Sequence, residues 1–470
     1  MYTLLLLGFT SFLFALILTP VVRNLSHRWG VVDHPDHGRK LHTSPIPRLG
    51  GVAIAAAYLL AFSALLLTHF QAVHLIKDGL PLALRLAPAA ALIFLAGVWD
   101  DIHSMRPWQK FAAQIVAALA AYAAGVHVQG FGGYQLAPWL SLPATIFWLV
   151  LCTNALNLID GVDGLATGVG LFATATTLLA ALLQNNIDLA LAVAPLFGCL
   201  LGFLRYNFNP ATIFLGDSGS LFVGFLLGCC SVIWSQKSAT ILGMTAPLLA
   251  LAIPLLDTGL ALVRRFLRGQ PLFLADRGHI HHRLLDRGFT PRKVALLIYG
   301  LCAISAVLSL SIMSRNFQGV AIVLFCAGAW TGIHYLGYIE FGVAGRMFVE
   351  GAFSRHLNTN IALKNFETRL NSAATPAECW QVIQDSGKEF GFHTMDMALA
   401  GRRFEYRNGG VPERSWMVRI PLSAADFIEL TRGFEAHSQH SVVEPFADSI
   451  RKTIEPKLAG FERSKAAGAS

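Results

Sequence analysis

The chain has 470 residues, 54% of them apolar and only 14% charged, with a mean hydropathy of +0.54. A soluble globular protein carries about a quarter charged residues, so a wholly water-soluble fold is excluded. The net charge of +8 comes largely from basic loops between apolar runs, so it implies no nucleic-acid partner.

The charges are unevenly placed. Residues 1–339 hold 20 Lys+Arg, 12 Asp and no Glu, whereas residues 340–470 hold 16 Lys+Arg and 16 Asp+Glu. This predicts a membrane-embedded domain over 1–340 and a soluble domain of ordinary composition over 341–470. Eleven apolar segments approach the roughly 20 residues that cross a bilayer. They run approximately over 2–22, 49–68, 82–99, 110–126, 142–158, 165–183, 189–206, 218–234, 241–263, 294–313 and 317–338. The first has no basic start and no small-residue cleavage site, so it is read as an uncleaved helix. Loops after odd-numbered segments carry 16 Lys and Arg, and the others, with their flanks, carry 4. That bias places the odd loops in the cytoplasm and the N-terminus outside. The fold class is therefore an all-α polytopic membrane protein of about 11 transmembrane helices with a C-terminal cytoplasmic domain. The seven Cys show no CxxC pair, and six lie in or beside apolar segments, so neither a disulfide nor a zinc site is expected.

Five polar clusters follow in chain order, and each maps to a cytoplasmic loop or segment end. The first, Asp33 to Gly51, contains Asp36, Arg39, Lys40 and His42. Asp33 and Asp36 can simply turn the loop; Arg39 and Lys40 can anchor it at the membrane or bind an anion. The second is Asp100-Asp101 with Lys110. Adjacent carboxylates repel, which favours a cation or a phosphate-handling role over ordinary helix ends. The third is Asn154-Ala-Leu-Asn157-Leu-Ile-Asp160-Gly-Val-Asp163, with polar side chains at every third position between two apolar runs. Carboxylates and carboxamides at membrane depth are costly unless they face a wet cavity or a ligand. The fourth, Gly216-Asp217-Ser-Gly-Ser, is weak alone. The fifth runs from Arg264 and Arg265, after Asp257, to His279-Ile-His281-His282. Arginines around those histidines favour an anion-binding loop over a zinc site. One composite cytoplasmic site accounts for all five. Oxygen ligands suit Mg²⁺ with substrate phosphates completing its shell, and basic residues neutralise phosphate oxygens. A membrane setting makes one substrate a lipid phosphate.

At these residues the chain resembles the polyprenyl-phosphate N-acetylhexosamine-1-phosphate transferase family (glycosyltransferase family 4). The resemblance covers about residues 1–340. It rests on Arg39-Lys40-Leu-His42, Asp100-Asp101, Asn154 to Leu165, Gly216-Asp217-Ser-Gly-Ser and Asp276-Arg-Gly-His279-Ile-His281-His282. It implies that undecaprenyl phosphate attacks the β-phosphorus of a UDP-N-acetylhexosamine, releasing UMP and beginning a lipid-linked cell-envelope glycan at the bacterial inner membrane. It implies Mg²⁺, with Mn²⁺ as an alternative, held by Asn157 and Asp217. Asp100 and Asp101 would orient or deprotonate the lipid phosphate, and Asn154 would position phosphate. Asp160 and Asp163 would hold the nucleotide-sugar with Lys40 and His42. Arg265, His279, His281 and His282 would engage the diphosphate or the sugar. The His-Ile-His-His spacing resembles the GlcNAc-1-phosphate branch. The phospho-MurNAc-pentapeptide transferase of peptidoglycan synthesis and, in another class, a lipid-linked sugar transporter are the alternatives. A homodimer is left open.

In the tail, helices are expected over 355–370, 376–390 and 443–458, with strands over 394–399, 403–406, 416–422 and 425–430. That is an α+β accessory domain with a disordered end, loosely similar to GAF-type domains.

Overall fold

The computed structural model describes residues 2–35, 44–67, 73–131, 134–236, 245–267, 278–314, 316–337, 352–408, 415–423, 425–433, 443–458 and 461. The chain divides into two compact units, Met1–Tyr338 and Ile339–Ser470.

In the first unit the apolar runs become helices: α1 (Tyr2–Trp29), α2 (Gly50–Leu67), α3 (Val73–His103) and α4 (Pro107–Ala123). α5 (Pro138–Ile159), α6 (Leu165–Leu183), α7 (Ile187–Asn207) and α8 (Gly216–Gln236) follow. Next come α9 (Thr245–Ala250), α10 (Ala252–Leu267), the short α11 (Ile280–Asp286), α12 (Pro291–Ser311) and α13 (Gln318–Tyr335). α4, α5 and α12 each open on a proline, whose missing N–H lies where no intrahelical partner exists. The Thr290 hydroxyl accepts from the Lys293 amide to cap α12, and the Asn186 carboxamide accepts from Leu189 to cap α7.

Among the described residues, eight helices are long and apolar enough to cross a membrane: α1, α2, α3, α5, α6, α7, α8 and α12. The remaining expected segments are helical too. α4 has 17 residues, α13 has 18, and the expected ninth segment is divided into α9 and α10 at Leu251. Pro254 in the first turn of α10 explains that division, because its ring cannot continue a helix from upstream. α8 is the central helix, with 83% of its apolar window buried, against 28% for α1 and 22% for α3. Outer helices keep apolar side chains exposed at helical spacing, including Leu5, Phe9 and Ile17 of α1 and Ile304 and Val307 of α12. A stripe of that kind suits hydrocarbon rather than water.

Two short antiparallel ribbons connect helices. β1 (Val32–Asp33) pairs with β2 (Ile46–Pro47), and β3 (Gly130–Phe131) pairs with β4 (Tyr134–Gln135). Arg48 forms an ion pair with Asp33 across the first ribbon. Arg39, Lys40 and His42 lie outside the described residues.

The second unit holds α14 (Ala352–Ser372), α15 (Pro376–Glu389), β5 (Thr394–Leu399), β6 (Arg402–Arg407), β7 (Ser415–Pro421), β8 (Phe427–Gly433) and α16 (Val443–Ile454). The strands form one antiparallel sheet in the order β6-β5-β8-β7, with Met397 opposite Ile428 and Val418 opposite Leu430. Strict alternation along β5 buries Met395, Met397 and Leu399 against Phe366, Ile383 and Phe446 of the helices. The opposite face carries ion pairs, Arg403 with Asp396 and Arg419 with Glu429. These elements match the expected order, with β6, β7 and β8 displaced by one to three residues at an end.

Candidate functional site

The site begins where three helices meet at glycines. A Cβ on Gly51 of α2 would lie 2.2 Å from the Gly219 nitrogen of α8, and one on Gly97 of α3 would lie 2.6 Å from the Asp217 carbonyl oxygen. Only glycine permits that approach, and it brings the end of α3 to the start of α8. Gly216 opens α8 with φ +73°, a left-handed conformation that other residues adopt at a cost.

Asp101, at the end of α3, then caps α8. Its Oδ1 accepts from the Asp217 amide at 2.8 Å and its Oδ2 from the Ser218 amide at 3.0 Å. Both oxygens of this buried carboxylate are thus committed to the first turn of a neighbouring helix, where the macrodipole favours negative charge. Asp100 points the other way. Its Oδ2 lies 2.8 Å from Lys110 Nζ, and its Oδ1 accepts from the Met105 amide. Lys110 also reaches Asp217 Oδ1 at 2.8 Å, so one ammonium bridges the two carboxylates. Asn157 donates its amide to the same Asp217 oxygen and, at 2.8 Å, to Ser220 Oγ. With its side chain 30% exposed, against 9% for Asp100, Asp217 is the more open of the bridged pair.

The polar run at the end of α5 is divided among three tasks. Asn154 pairs amide to amide with Gln114 of α4, at 2.5 and 3.2 Å, and donates to the Val150 carbonyl at 2.8 Å. Its carboxamide therefore joins α4 to α5. Asn157 joins the Asp217 cluster. Asp163 turns to the segment before α8, where its Oδ2 accepts from the Asn209 side chain and the Ala211 amide, each at 3.0 Å. Asp160 stays among the acids. It is half-buried, yet the surrounding protein shields it from bulk water. That desolvation, with the charges of Asp217, Asp101 and Asp163, pushes its carboxyl well above the ordinary carboxylate range. Tyr299 of α12 holds the loop from the far side by donating to the Gly164 carbonyl at 2.6 Å.

The histidine cluster packs onto this loop. A Cβ on Gly161 would lie 2.6 Å from His281 Nε2, so only glycine lets the ring rest there. His279 precedes α11, and its Nδ1 lies 3.1 Å from Asp257 Oδ2 of α10. The Ile280 amide donates to Asp257 Oδ1 at 2.8 Å, and Arg264 donates to the Gly278 carbonyl at 3.0 Å. His279 and His281 stack at 5.7 Å, and His281 lies 4.3 Å from His282. Burial, with His282 beside it, lowers His281 to about 3, so this imidazole is neutral at physiological pH. Arg265 is buried one residue beyond Arg264.

The structure thus brings together Asp100, Asp101, Lys110, Asn157, Asp160 and Asp217, and sets His281 against their loop. It places Asn154 and Asp163 in contacts between helices and loops. Sequence reading overlooked Gln114, Asn209 and Tyr299, and gave Ser220 of the fourth cluster no role of its own. Gln114 carried a usable signal, because it lies four residues after Lys110 in an apolar helix and so shares its face. Among the described residues no three His, Cys, Asp or Glu side chains form a ready-made metal cage. Two carboxylates and a carboxamide around one point nevertheless suit a hard ion that keeps water and substrate phosphates as its other ligands.

Residues 82–235 match the model of glycosyl transferase family 4, a range that spans most of α3 and all of α4 to α7, ends within α8, and contains every residue of the acid cluster. The chain is 33% identical over 324 residues to a probable undecaprenyl-phosphate N-acetylglucosaminyl 1-phosphate transferase of Bacillus subtilis, covering 67% of this chain and 86% of the relative. It is 34% identical over 355 residues to a decaprenyl-phosphate N-acetylglucosaminephosphotransferase of Mycolicibacterium smegmatis, covering 68% and 86%. A phospho-N-acetylmuramoyl-pentapeptide-transferase of Limosilactobacillus fermentum is 36% identical over 212 residues, covering 43% of this chain and 64% of the relative.

Proposed function

Because the chain belongs to glycosyl transferase family 4, we propose that it transfers N-acetylglucosamine 1-phosphate to a polyprenyl phosphate within a membrane. The donor in this reading is UDP-N-acetylglucosamine. A phosphate oxygen of the lipid forms a bond to the β-phosphorus, the bond from that phosphorus to the bridging oxygen breaks, and UMP leaves with the electron pair. The anomeric C–O bond is untouched, so the sugar keeps its configuration.

The observation that carries the proposal is the convergence of Asp100, Lys110, Asn157 and Asp217, from four different helices, at one end of a multi-pass bundle. Phosphoryl transfer needs chiefly positioning and charge stabilisation, and this group supplies both. Asp217, Asn157 and Asp100 would hold Mg²⁺, with Mn²⁺ as a substitute, which when bound neutralises charge on the donor diphosphate. Lys110 would give its ammonium to phosphate oxygens, and Asp160 and the histidine turn would face the nucleotide-sugar. Asp101 acts by aligning Asp217. Direct attack by the lipid is preferred to an aspartyl intermediate, because both Asp101 oxygens are held by backbone amides of α8 and Asp100 and Asp217 would be taken up by the cation. A phosphate monoester, with a second pKa of about 6, is already a competent nucleophile near neutral pH.

The eleven apolar segments of the sequence support eleven spans, and the basic-loop bias supports an external N-terminus and a cytoplasmic site. The second unit is read as a cytoplasmic accessory domain, loosely similar to GAF-type domains in its order of helices and strands. The test is incubation of the purified protein with Mg²⁺, undecaprenyl phosphate and UDP-N-acetylglucosamine, followed by mass analysis of the lipid. An undecaprenyl-diphospho-N-acetylglucosamine product is expected, and unchanged lipid overturns the assignment.

A further inference from the structure

We propose that Asp257 is a positioning residue for this transfer, acting through His279 to hold the histidine turn against the acid-bearing loop; the inference rests on the phosphosugar-transfer reading above. Asp257 is 2% exposed, and a carboxylate at that depth persists only with full compensation. The compensation comes from one short stretch. Oδ1 takes the Ile280 amide at 2.8 Å, in the first turn of α11, and Oδ2 takes His279 Nδ1 at 3.1 Å. A carboxylate can only accept, so Nδ1 of the ring carries a hydrogen, and in the uncharged tautomer this leaves the lone pair on Nε2.

The same helix fastens the turn a second time. Arg264, two helical turns after Asp257 and so on the same face of α10, donates to the Gly278 carbonyl at 3.0 Å. A Cβ on Gly278 would lie 2.3 Å from the Arg264 guanidinium carbon, which shows how closely the two are packed. Gly278, His279 and Ile280 are therefore held at three consecutive residues by one helix. The consequence falls on His281, whose Nδ1 is buried without a hydrogen-bond partner and whose Nε2 lies against Gly161, beside Asp160. Among the described residues no hydrogen bond holds the His281 ring, and its Nδ1 lies 4.0 Å from Asp257 Oδ2, beyond hydrogen-bonding distance. The fixation comes from Asp257, through the residue before α11 and the first amide of α11.

This changes the reading of the motif. A turn whose central imidazole is neutral and whose first imidazole is oriented by a carboxylate acts through hydrogen-bond geometry, with Arg264 and Arg265 beside it as fixed positive charges.

Asp257→Asn tests this, because a carboxamide can still accept from the Ile280 amide while its NH₂ faces His279 Nδ1. The ring then accepts at Nδ1 and carries its proton on Nε2. In ¹⁵N-histidine-labelled protein, the signal lost in His279→Asn marks this ring. It should report Nδ1–H in the unsubstituted protein and Nε2–H in Asp257→Asn. Turnover should fall about 100-fold or more, as displaced orienting carboxylates do elsewhere, with KM for the lipid little changed. Gly161→Ala, which pushes His281 from the opposite side, should lower turnover similarly with the His279 tautomer intact. An Nε2–H tautomer in the unsubstituted protein, or Asp257→Asn turnover within threefold of it, overturns the proposal. Absence of any transfer by the unsubstituted protein sinks the functional reading instead, and the tautomer measurement still decides this one.

Discussion

Gly97→Ala is the most demanding perturbation of the helix crossing. Its new Cβ would lie 2.6 Å from the Asp217 carbonyl oxygen, 2.6 Å from Ser218 Cα and 2.7 Å from the Ser218 nitrogen. All three are backbone atoms, so no side chain can rotate aside. Atoms at rest lie about 3.5–4.0 Å apart, so α3 and α8 must separate by roughly 1 Å. That separation falls on Asp101, whose bonds to the Asp217 and Ser218 amides are 2.8 and 3.0 Å long, and on the Lys110 bridge. Stretching such bonds by the same amount takes them beyond hydrogen-bonding range. Overpacking of this kind costs about 1–3 kcal/mol of stability, and a misplacement of about 1 Å costs about 100-fold in rate. Steady-state UMP release by purified Gly97→Ala should therefore fall about 100-fold, with a modestly lowered melting temperature. Gly300→Ala on α12 is the control, because a Cβ there meets nothing within 4 Å. If Gly97→Ala kept half of the unsubstituted turnover, the α3–α8 crossing would not set the site geometry.

Asp217→Asn should nearly abolish turnover at saturating Mg²⁺ while the protein still elutes as a folded species; near-normal Mg²⁺-dependent activity would remove Asp217 from the metal role. Asn154→Ala strands the buried Gln114 amide and should cost about 1–3 kcal/mol, seen as a lower melting temperature with a smaller change in turnover. The reverse pattern would return Asn154 to phosphate positioning. His281, lowered to about 3, contributes stability that is complete above its unfolded value of about 6.5 and declines as pH falls from there towards 3. Melting between pH 7 and pH 5 should accordingly fall more for the unsubstituted protein than for His281→Gln, and equal falls would refute a neutral, buried ring.

Much of this arrangement was legible because membrane helices advertise themselves and because polar side chains in apolar surroundings need a reason. Asp100, Asp101 and Lys110 stood out together, and Lys110 does bridge Asp100 to Asp217. What could not be read was which partner each polar group would choose. Asp101 spends both oxygens on backbone amides, which no residue pattern reveals. Asn154 and Asp163 have the same spacing as Asn157 and Asp160, yet they face Gln114 and the 209–211 segment. A period of three drifts around a helix of 3.6 residues per turn, and the last two of the four lie past the final helical residue, Ile159. The division of the ninth segment was signalled by Pro254 but hidden by a continuous apolar run. The helix that follows His279 looked like loop because seven residues are too few for a periodic signal.

The central claim is attack at the β-phosphorus, and the identity of the released nucleotide tests it most directly. Purified protein with Mg²⁺, undecaprenyl phosphate and UDP-N-acetylglucosamine labelled in uridine should release UMP, one per lipid diphospho-sugar formed and none without the lipid. Release of UDP with a monophosphate-linked sugar on the lipid would place the attack at carbon and contradict the account.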